Sequence, residues 1–127
     1  MIWKLAKIAA PMWLAVMGMT VFAEDATAAS SAENFQWYCA QCHGDKGAGD
    51  GVNSTVKELP VGPMNLSIAK QIKKFSNADI IKTLTHGGPV NRLEPLMPPW
   101  GNRLTRNEIK DLMYYVRTLC KGADCPK

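Results

Sequence analysis

Five consecutive residues, Cys39-Ala40-Gln41-Cys42-His43, constrain this chain more than any other part of its sequence. Two thiols three positions apart lie on the same side of one helical turn, and a histidine follows at once. The same cysteine spacing without a histidine occurs in redox dithiols and in half of a zinc site. A thioredoxin-like dithiol would need a βαβ pattern, which the sequence lacks, and the adjacent histidine argues against both of these sites.

The full five-residue pattern is the attachment motif of a c-type haem. Two thiols three positions apart can form thioethers with the two vinyl groups along one porphyrin edge. The histidine that follows then reaches the iron from one face. The motif therefore predicts one haem c, bound covalently through Cys39 and Cys42, with His43 as an iron ligand.

The first 28 residues predict an export signal. Lys4 and Lys7 precede an apolar run over residues 8–23, and two small-residue cleavage patterns follow. The run is shorter than the roughly 20 residues that span a bilayer as a helix. We therefore expect residues 1–28 to be removed in the periplasm, which leaves one domain over residues 29–127. The alternative is that the segment stays as a membrane anchor, and only then would the protein contact a membrane.

Composition supports one small globular domain without a nucleic-acid surface. The chain has 127 residues, 46% hydrophobic and 20% charged, and its formal charge is +4. The basic residues are scattered with acidic ones among them, which does not indicate binding of nucleic acid. A mature domain of roughly 100 residues lies near the low end for a self-sufficient core, so a large buried cofactor would help it to fold.

The rest of the sequence predicts helices joined by two long loops. The loops cover residues 44–63 and 89–102, which are rich in glycine and proline. No strand-length alternation of apolar and polar residues occurs. The predicted fold is all-α, with three to five helices around a covalently bound haem. Serine and threonine capping patterns predict that helices begin after Ser30, Ser76 and Thr105. A further short helix is predicted after Ser67, from Ile68 to Phe75.

The second axial position of the iron has four candidates, which are His86 and the methionines Met64, Met97 and Met113. Met97 stands in a loop with two prolines directly after it, which restrict the chain and lower the entropy lost in holding the sulfur. Met113 falls on the apolar stripe of the last helix, where core packing explains it. His86 would give bis-histidine ligation, although a histidine near a helix C-terminus is also favoured by the helix dipole.

An early C-x-x-C-H, then M-P-P-W, then a final capped helix resembles the small monohaem class I cytochromes c. The resemblance covers Ser30 to about Leu119. It implies N- and C-terminal helices that cross, a haem in a cleft between the loops, and Met97 as the distal ligand. It also implies that Leu66, in the stretch after the first loop, packs on the porphyrin.

Three aromatic residues are predicted to line or rim the haem pocket, although aromatic residues at helical positions also occur in ordinary cores. They are Trp37, Tyr38 and Trp100.

The other two cysteines, Cys120 and Cys125, follow the last predicted helix. Pro126 stands where a second haem motif would have its histidine. In an oxidising compartment the pair predicts a disulfide that closes over Gly122. In the cytoplasm the two would be free thiols.

Together these patterns predict a one-electron carrier rather than an enzyme, because His43 and Met97 would fill both axial positions. The expected partners are redox proteins, with acidic surfaces if exposed lysines steer the encounter. One alternative is an electron-transfer subunit of a larger periplasmic or membrane-attached oxidoreductase. Another is a gas-binding or peroxidatic haem protein with an open iron position. The lysines considered for steering are Lys46, Lys57, Lys70, Lys73 and Lys74.

Overall fold

The computed structural model describes residues 27–55 and 62–126, and the regular elements of these ranges are all helical. This confirms the predicted all-α fold. The predicted export signal lies outside the described residues except for its last two positions, and Lys57 also lies outside them. The elements are α1 (Thr27–Tyr38), α2 (Ala40–His43), α3 (Ala69–Ile72), α4 (Asn77–His86), a 3₁₀ turn (Gly88–Asn91) and α5 (Arg106–Leu119).

The N-terminal helix begins earlier than its capping pattern predicts. Helix α1 already includes Thr27, so Ser30 is an interior position and the prediction that the helix starts after it is wrong. A serine followed three residues later by Glu33 reads the same at a helix start and inside a helix. The pattern alone therefore does not locate the first turn.

Helices α4 and α5 begin with the predicted capping boxes. The Ser76 hydroxyl accepts the Asp79 amide N–H at 3.1 Å, and the Asp79 carboxylate accepts the Ser76 N–H at 2.9 Å. Thr105 and Glu108 make the same reciprocal pair at 3.3 Å and 2.7 Å. The Ser76 hydroxyl holds the pKa of Asp79 below its ordinary value, and the Thr105 N–H does the same for Glu108.

The core forms where α5 packs against α1 and α4. The Phe35 side chain of α1 is fully buried, and its ring centroid lies 5.4 Å from that of Tyr115 on α5. Met113 is 2% exposed on the inner face of α5, which fits the core role predicted for it. No helix in the described part of the chain is long and apolar enough to cross a membrane.

Hydrogen bonds from Arg117 and a disulfide hold the chain segments next to the C-terminal end of α5. The Arg117 guanidinium donates to the carbonyl oxygens of Ile72 and Phe75, at 3.0 Å and 2.6 Å, and so attaches α5 to the chain around α3. Directly after α5, Cys120 and Cys125 are joined by a disulfide with their Cα atoms 5.7 Å apart.

Candidate haem site

A cavity of about 940 Å³ lies between the helices and the loops after α2 and α4. Ligand pockets span roughly 300–1,000 Å³, so this one is at the upper end of the range. Its walls are largely apolar side chains from α3, α4 and α5, among them Ile72, Leu84 and Val116. The cavity brings together the six residues that the sequence predicts for a haem site, which are Cys39, Cys42, His43, Leu66, Met97 and Trp100.

The two cysteines share one wall because the chain turns tightly between them. The Cys42 and His43 amides donate to the Cys39 carbonyl oxygen at 3.1 Å and 2.8 Å. Both thiols are free, and burial, with a smaller effect of Cys42, raises the pKa of Cys39 to about 12. Two unbonded sulfurs on the wall of a large apolar cavity fit a group that is held by two thioether bonds.

His43 is fixed by a hydrogen bond from its Nδ1 to the Met64 carbonyl oxygen, at 3.0 Å. A carbonyl only accepts, so Nδ1 carries the ring proton and Nε2 keeps its lone pair. Burial lowers the pKa of His43, which keeps the imidazole neutral. A neutral histidine with its second nitrogen hydrogen-bonded to a carbonyl is the usual form of a metal-binding imidazole, so this side chain also fits the predicted haem.

The same hydrogen bond distinguishes Met64 from Met97, the two methionines on the cavity wall, as candidates for the second iron ligand. The Met64 carbonyl lies behind His43, on the side of the ring that faces away from a metal bound at Nε2. Met97 comes from the loop that follows the 3₁₀ turn. Its amide donates to the Glu94 carbonyl at 3.1 Å, and its carbonyl accepts the Gly88 amide at 3.0 Å. The main chain of Met97 is therefore held on both sides.

Two adjacent glycines let the methionine loop approach the end of α4. Gly87 has φ +86°, and a Cβ there would lie 2.9 Å from the Met97 carbonyl oxygen. A Cβ on Gly88 would overlap the Glu94 carbonyl and lie 3.2 Å from the Met97 Cβ. Two adjacent glycines after a helix are also explained by ending that helix, so the pair alone does not predict the close approach. The sequence signal for it is that two successive glycines precede the loop of a candidate ligand.

The other two candidate ligands lie off the cavity wall. His86 is exposed in the last turn of α4, and its side chain is not part of the lining. Met113 is buried in the α5 core and is likewise absent from the lining. These positions support neither residue as the second axial ligand.

Of the predicted pocket aromatics, two lie at the cavity and one does not. Tyr38 and Trp100 line it, with ring centroids 4.9 Å apart, and the Trp100 amide donates to the Leu84 carbonyl at 2.8 Å. Trp37 is 77% exposed and lies outside the lining, so its prediction as a pocket residue is wrong. Helical positions two apart point about 200° apart, and Phe35 already faces the core.

Comparisons with known proteins bear on the family and on the fold. Residues 26–116 match the family model described as cytochrome c oxidase, cbb3-type, subunit III. The chain is 38% identical over 96 residues to the Cbb3-type cytochrome c oxidase subunit FixP of Azorhizobium caulinodans. That alignment covers 75% of this chain but 28% of the relative, so the chain spans little more than a quarter of FixP.

Two solved structures share the fold. The KustC0563 c-type cytochrome matches with a TM-score of 0.57 and 25% identity, over 72% of this chain and 98% of that one. A chain of the Kuenenia stuttgartiensis reducing HAO-like protein complex Kustc0457/Kustc0458 matches with a TM-score of 0.62 over 82% of this chain and 48% of its own length. At 23% identity the second likeness shows the fold alone. Together the comparisons confirm the resemblance to cytochromes c.

We expect Gly88→Ala to destabilise the protein, because the added methyl group overlaps the Glu94 carbonyl and presses on Met97. Overpacking of this kind costs about 1–3 kcal/mol. Gly62→Ala is the matched control, since a Cβ there meets only the Ser54 carbonyl oxygen, at 3.9 Å. Urea unfolding of both variants measures the difference, and equal unfolding midpoints would contradict the close approach described here.

Proposed function

This chain belongs to the family of cbb3-type cytochrome c oxidase subunit III, and we propose that it binds one c-type haem covalently and transfers single electrons between redox proteins. The observation that carries the proposal is the convergence of Cys39, Cys42, His43 and Met97 on one apolar cavity. When bound, the haem supplies an iron that takes up and releases one electron.

The motif residues would hold the haem. Cys39 and Cys42, three positions apart on the cavity wall, would each contribute one thioether. His43 would bind the iron through Nε2, because its Nδ1–H is donated to the Met64 carbonyl. That acceptor also raises the basicity of the imidazole and prevents the ring from rotating.

Met97 is the second axial ligand in this proposal. It is supported by its place on the cavity wall, by the position of the Met64 carbonyl behind His43, and by the exposure of His86. A thioether sulfur favours the reduced state and raises the potential relative to a second imidazole. With His43 and Met97 both bound, the iron would have no position open to a substrate, as expected for a carrier rather than an enzyme or a gas-binding protein.

The apolar walls contribute to the same function. Leu66 and Leu84 are buried at the cavity, and Trp100 lines it beside Tyr38. Such walls keep water away from the haem and lower the local dielectric, which disfavours the additional positive charge of the oxidised state. They also hold the ligands in one arrangement, so that little has to move when an electron arrives.

We further propose that the chain is exported, with residues 1–28 as the signal and 29–127 as the periplasmic domain, in which the Cys120–Cys125 disulfide persists. The alternative is that the N-terminal segment is retained as an anchor. Among the steering candidates in the described ranges, Lys46, Lys70 and Lys74 are exposed, and Lys73 forms an exposed ion pair with Asp124 at 3.9 Å.

If these lysines steer an acidic partner, the rate of electron transfer falls as ionic strength rises. Stopped-flow mixing of the reduced protein with an acidic redox protein at several salt concentrations measures this dependence. A rate that is independent of salt would remove electrostatic steering from the account.

A second candidate is that the chain serves as the electron-transfer part of a larger oxidoreductase. The family description is that of an oxidase subunit, and the relative FixP is more than three times as long as the matched region. Blue-native electrophoresis of unfractionated extract separates the two candidates. A haem-stained band at the size of the free chain supports the carrier, and a band at high mass supports the subunit.

Met97→Ala is expected to remove the sulfur ligand, which changes the low-spin haem spectrum, admits carbon monoxide and lowers the reduction potential. The matched control is Met64→Leu, which keeps the backbone carbonyl that binds His43. It should leave the spectrum low-spin and the haem closed to carbon monoxide. Absorption spectroscopy and potentiometric titration, which should show one single-electron wave, are the measurements.

An unchanged low-spin spectrum in the Met97 variant would contradict its assignment as the ligand. If His86→Ala then altered the spectrum, bis-histidine ligation would replace the proposal. Carbon monoxide binding by the unaltered protein would instead favour a gas-binding or peroxidatic haem.

A further inference from the structure

We infer that the Cys120–Cys125 disulfide positions the axial histidine from the opposite end of the chain, by holding the Lys121 amide against the segment that carries the Met64 carbonyl. This segment, residues 64–68, is called the strap below. The inference rests on the proposed role of His43 as an iron ligand, and it adds to that role a structural cause outside the haem motif.

The strap is short and has an attachment at nearly every residue. The Met64 carbonyl accepts from His43, the Asn65 amide donates to the Gln71 side chain at 3.0 Å, and the Leu66 amide donates to the Gly47 carbonyl at 2.6 Å. Ser67 donates both its N–H and its hydroxyl to the Asn65 side chain, at 2.9 Å and 2.6 Å. Because the Asn65 side chain accepts both Ser67 donors, a displacement of Ser67 also pulls on Asn65, the residue directly after Met64.

The C-terminal end of the strap is held by the disulfide loop. The Lys121 amide donates to the Ser67 carbonyl at 3.0 Å, and Ile68 and Lys121 form an isolated parallel bridge. Lys121 lies inside the loop that Cys120 and Cys125 close, one residue beyond Cys120, which directly follows α5. The disulfide thus fixes the direction in which the chain leaves α5, and with it the direction of the Lys121 N–H.

Apart from the packing of Cys120 and Cys125 on the core, the contacts described for the tail are too weak to take over this role. The Cys125 amide donates to the Gly122 carbonyl at 3.3 Å, within the loop itself. The ion pair between Lys73 and Asp124 is 3.9 Å long, with side chains 49% and 88% exposed, so water screens it. Without the covalent bond, residues after α5 would fray as chain ends do.

A general stabilising effect of the Cys120–Cys125 disulfide does not explain its position around Lys121. The loop spans a sequence separation of only 5, and closing so short a loop restricts the unfolded chain less than closing a long one. The effect of the bond is instead expected to be local, on Lys121 and then on the strap. A weaker bond from His43 to Met64 makes the imidazole a poorer donor to iron, which favours the reduced state.

The test compares the haem-loaded protein with the Cys120→Ser/Cys125→Ser double variant. We expect the His43 Nδ1–H and the Lys121 amide to exchange with solvent about tenfold faster or more in the variant, measured by NMR in the reduced state. We also expect its reduction potential to rise. Asp124→Asn is the control in the same loop, because it removes the ion pair, keeps the disulfide and should change neither quantity.

A second control addresses general stability. Thr105→Ala removes the cap at the far end of α5 and should lower the free energy of unfolding without moving the potential. If the double variant does not assemble, the disulfide of the loaded wild-type protein is opened with dithiothreitol. Two electrons and two protons pass from the dithiol to the cystine, giving two thiols and the cyclic disulfide of the reagent, and ring N–H exchange is then measured.

Unchanged ring N–H exchange and an unchanged potential after loss of the disulfide would overturn the inference and leave the bond as a clamp for the tail. A wild-type protein that carries no haem would overturn the proposed function instead, whatever the state of the disulfide. The two failures are therefore distinguishable.

Discussion

The hydrogen bond from the His43 Nδ1 to the Met64 carbonyl is the interaction on which the rest of the site depends. It links the motif turn to a segment 21 residues further along the chain, and so closes the first long loop. It selects one tautomer, because a carbonyl offers no proton. It also distinguishes two sides of the cavity. His43 and the Met64 main chain lie on one side, which leaves Met97 as the candidate ligand on the other.

Apolar side chains of the surrounding helices enclose the site of this hydrogen bond. Helix α5 packs against α1 and α4 and contributes Val116 to the cavity wall, while α3 contributes Ile72. A bound porphyrin would complete the packing of these walls and would act as part of the core of a small domain. Folding and cofactor binding are therefore coupled, which explains why core residues also form the cavity wall.

Much of this could be predicted from the sequence, because its strongest signals are local. The attachment motif occupies five residues, and the capping boxes at Ser76 and Thr105 occupy four each, so neither depends on distant contacts. The prediction at Ser30 was wrong because a capping pattern has no marker that distinguishes a first turn from a later one. Trp37 lies outside the pocket because Phe35 faces the core two positions earlier and so fixes the phase of the helix, which aromatic character alone does not show.

Other features could not be predicted because they belong to the main chain. The role of Met64 rests on its carbonyl oxygen, which every residue has, so its side-chain type carries no information about it. The close approach of Gly87 and Gly88 to the Met97 loop depends on how two distant segments meet. The contact between Lys121 and Ser67 is of the same kind, and it becomes visible only when the C-terminal tail and the strap are seen side by side.

The central claim is that one haem is bonded covalently to Cys39 and Cys42. Mass spectrometry of the denatured protein, followed by peptide mapping, tests it most directly. The account predicts a mass increase of one haem that survives denaturation and acidic extraction, and that maps to the peptide containing both cysteines. Loss of the haem on denaturation, or a second haem on another peptide, would contradict the account.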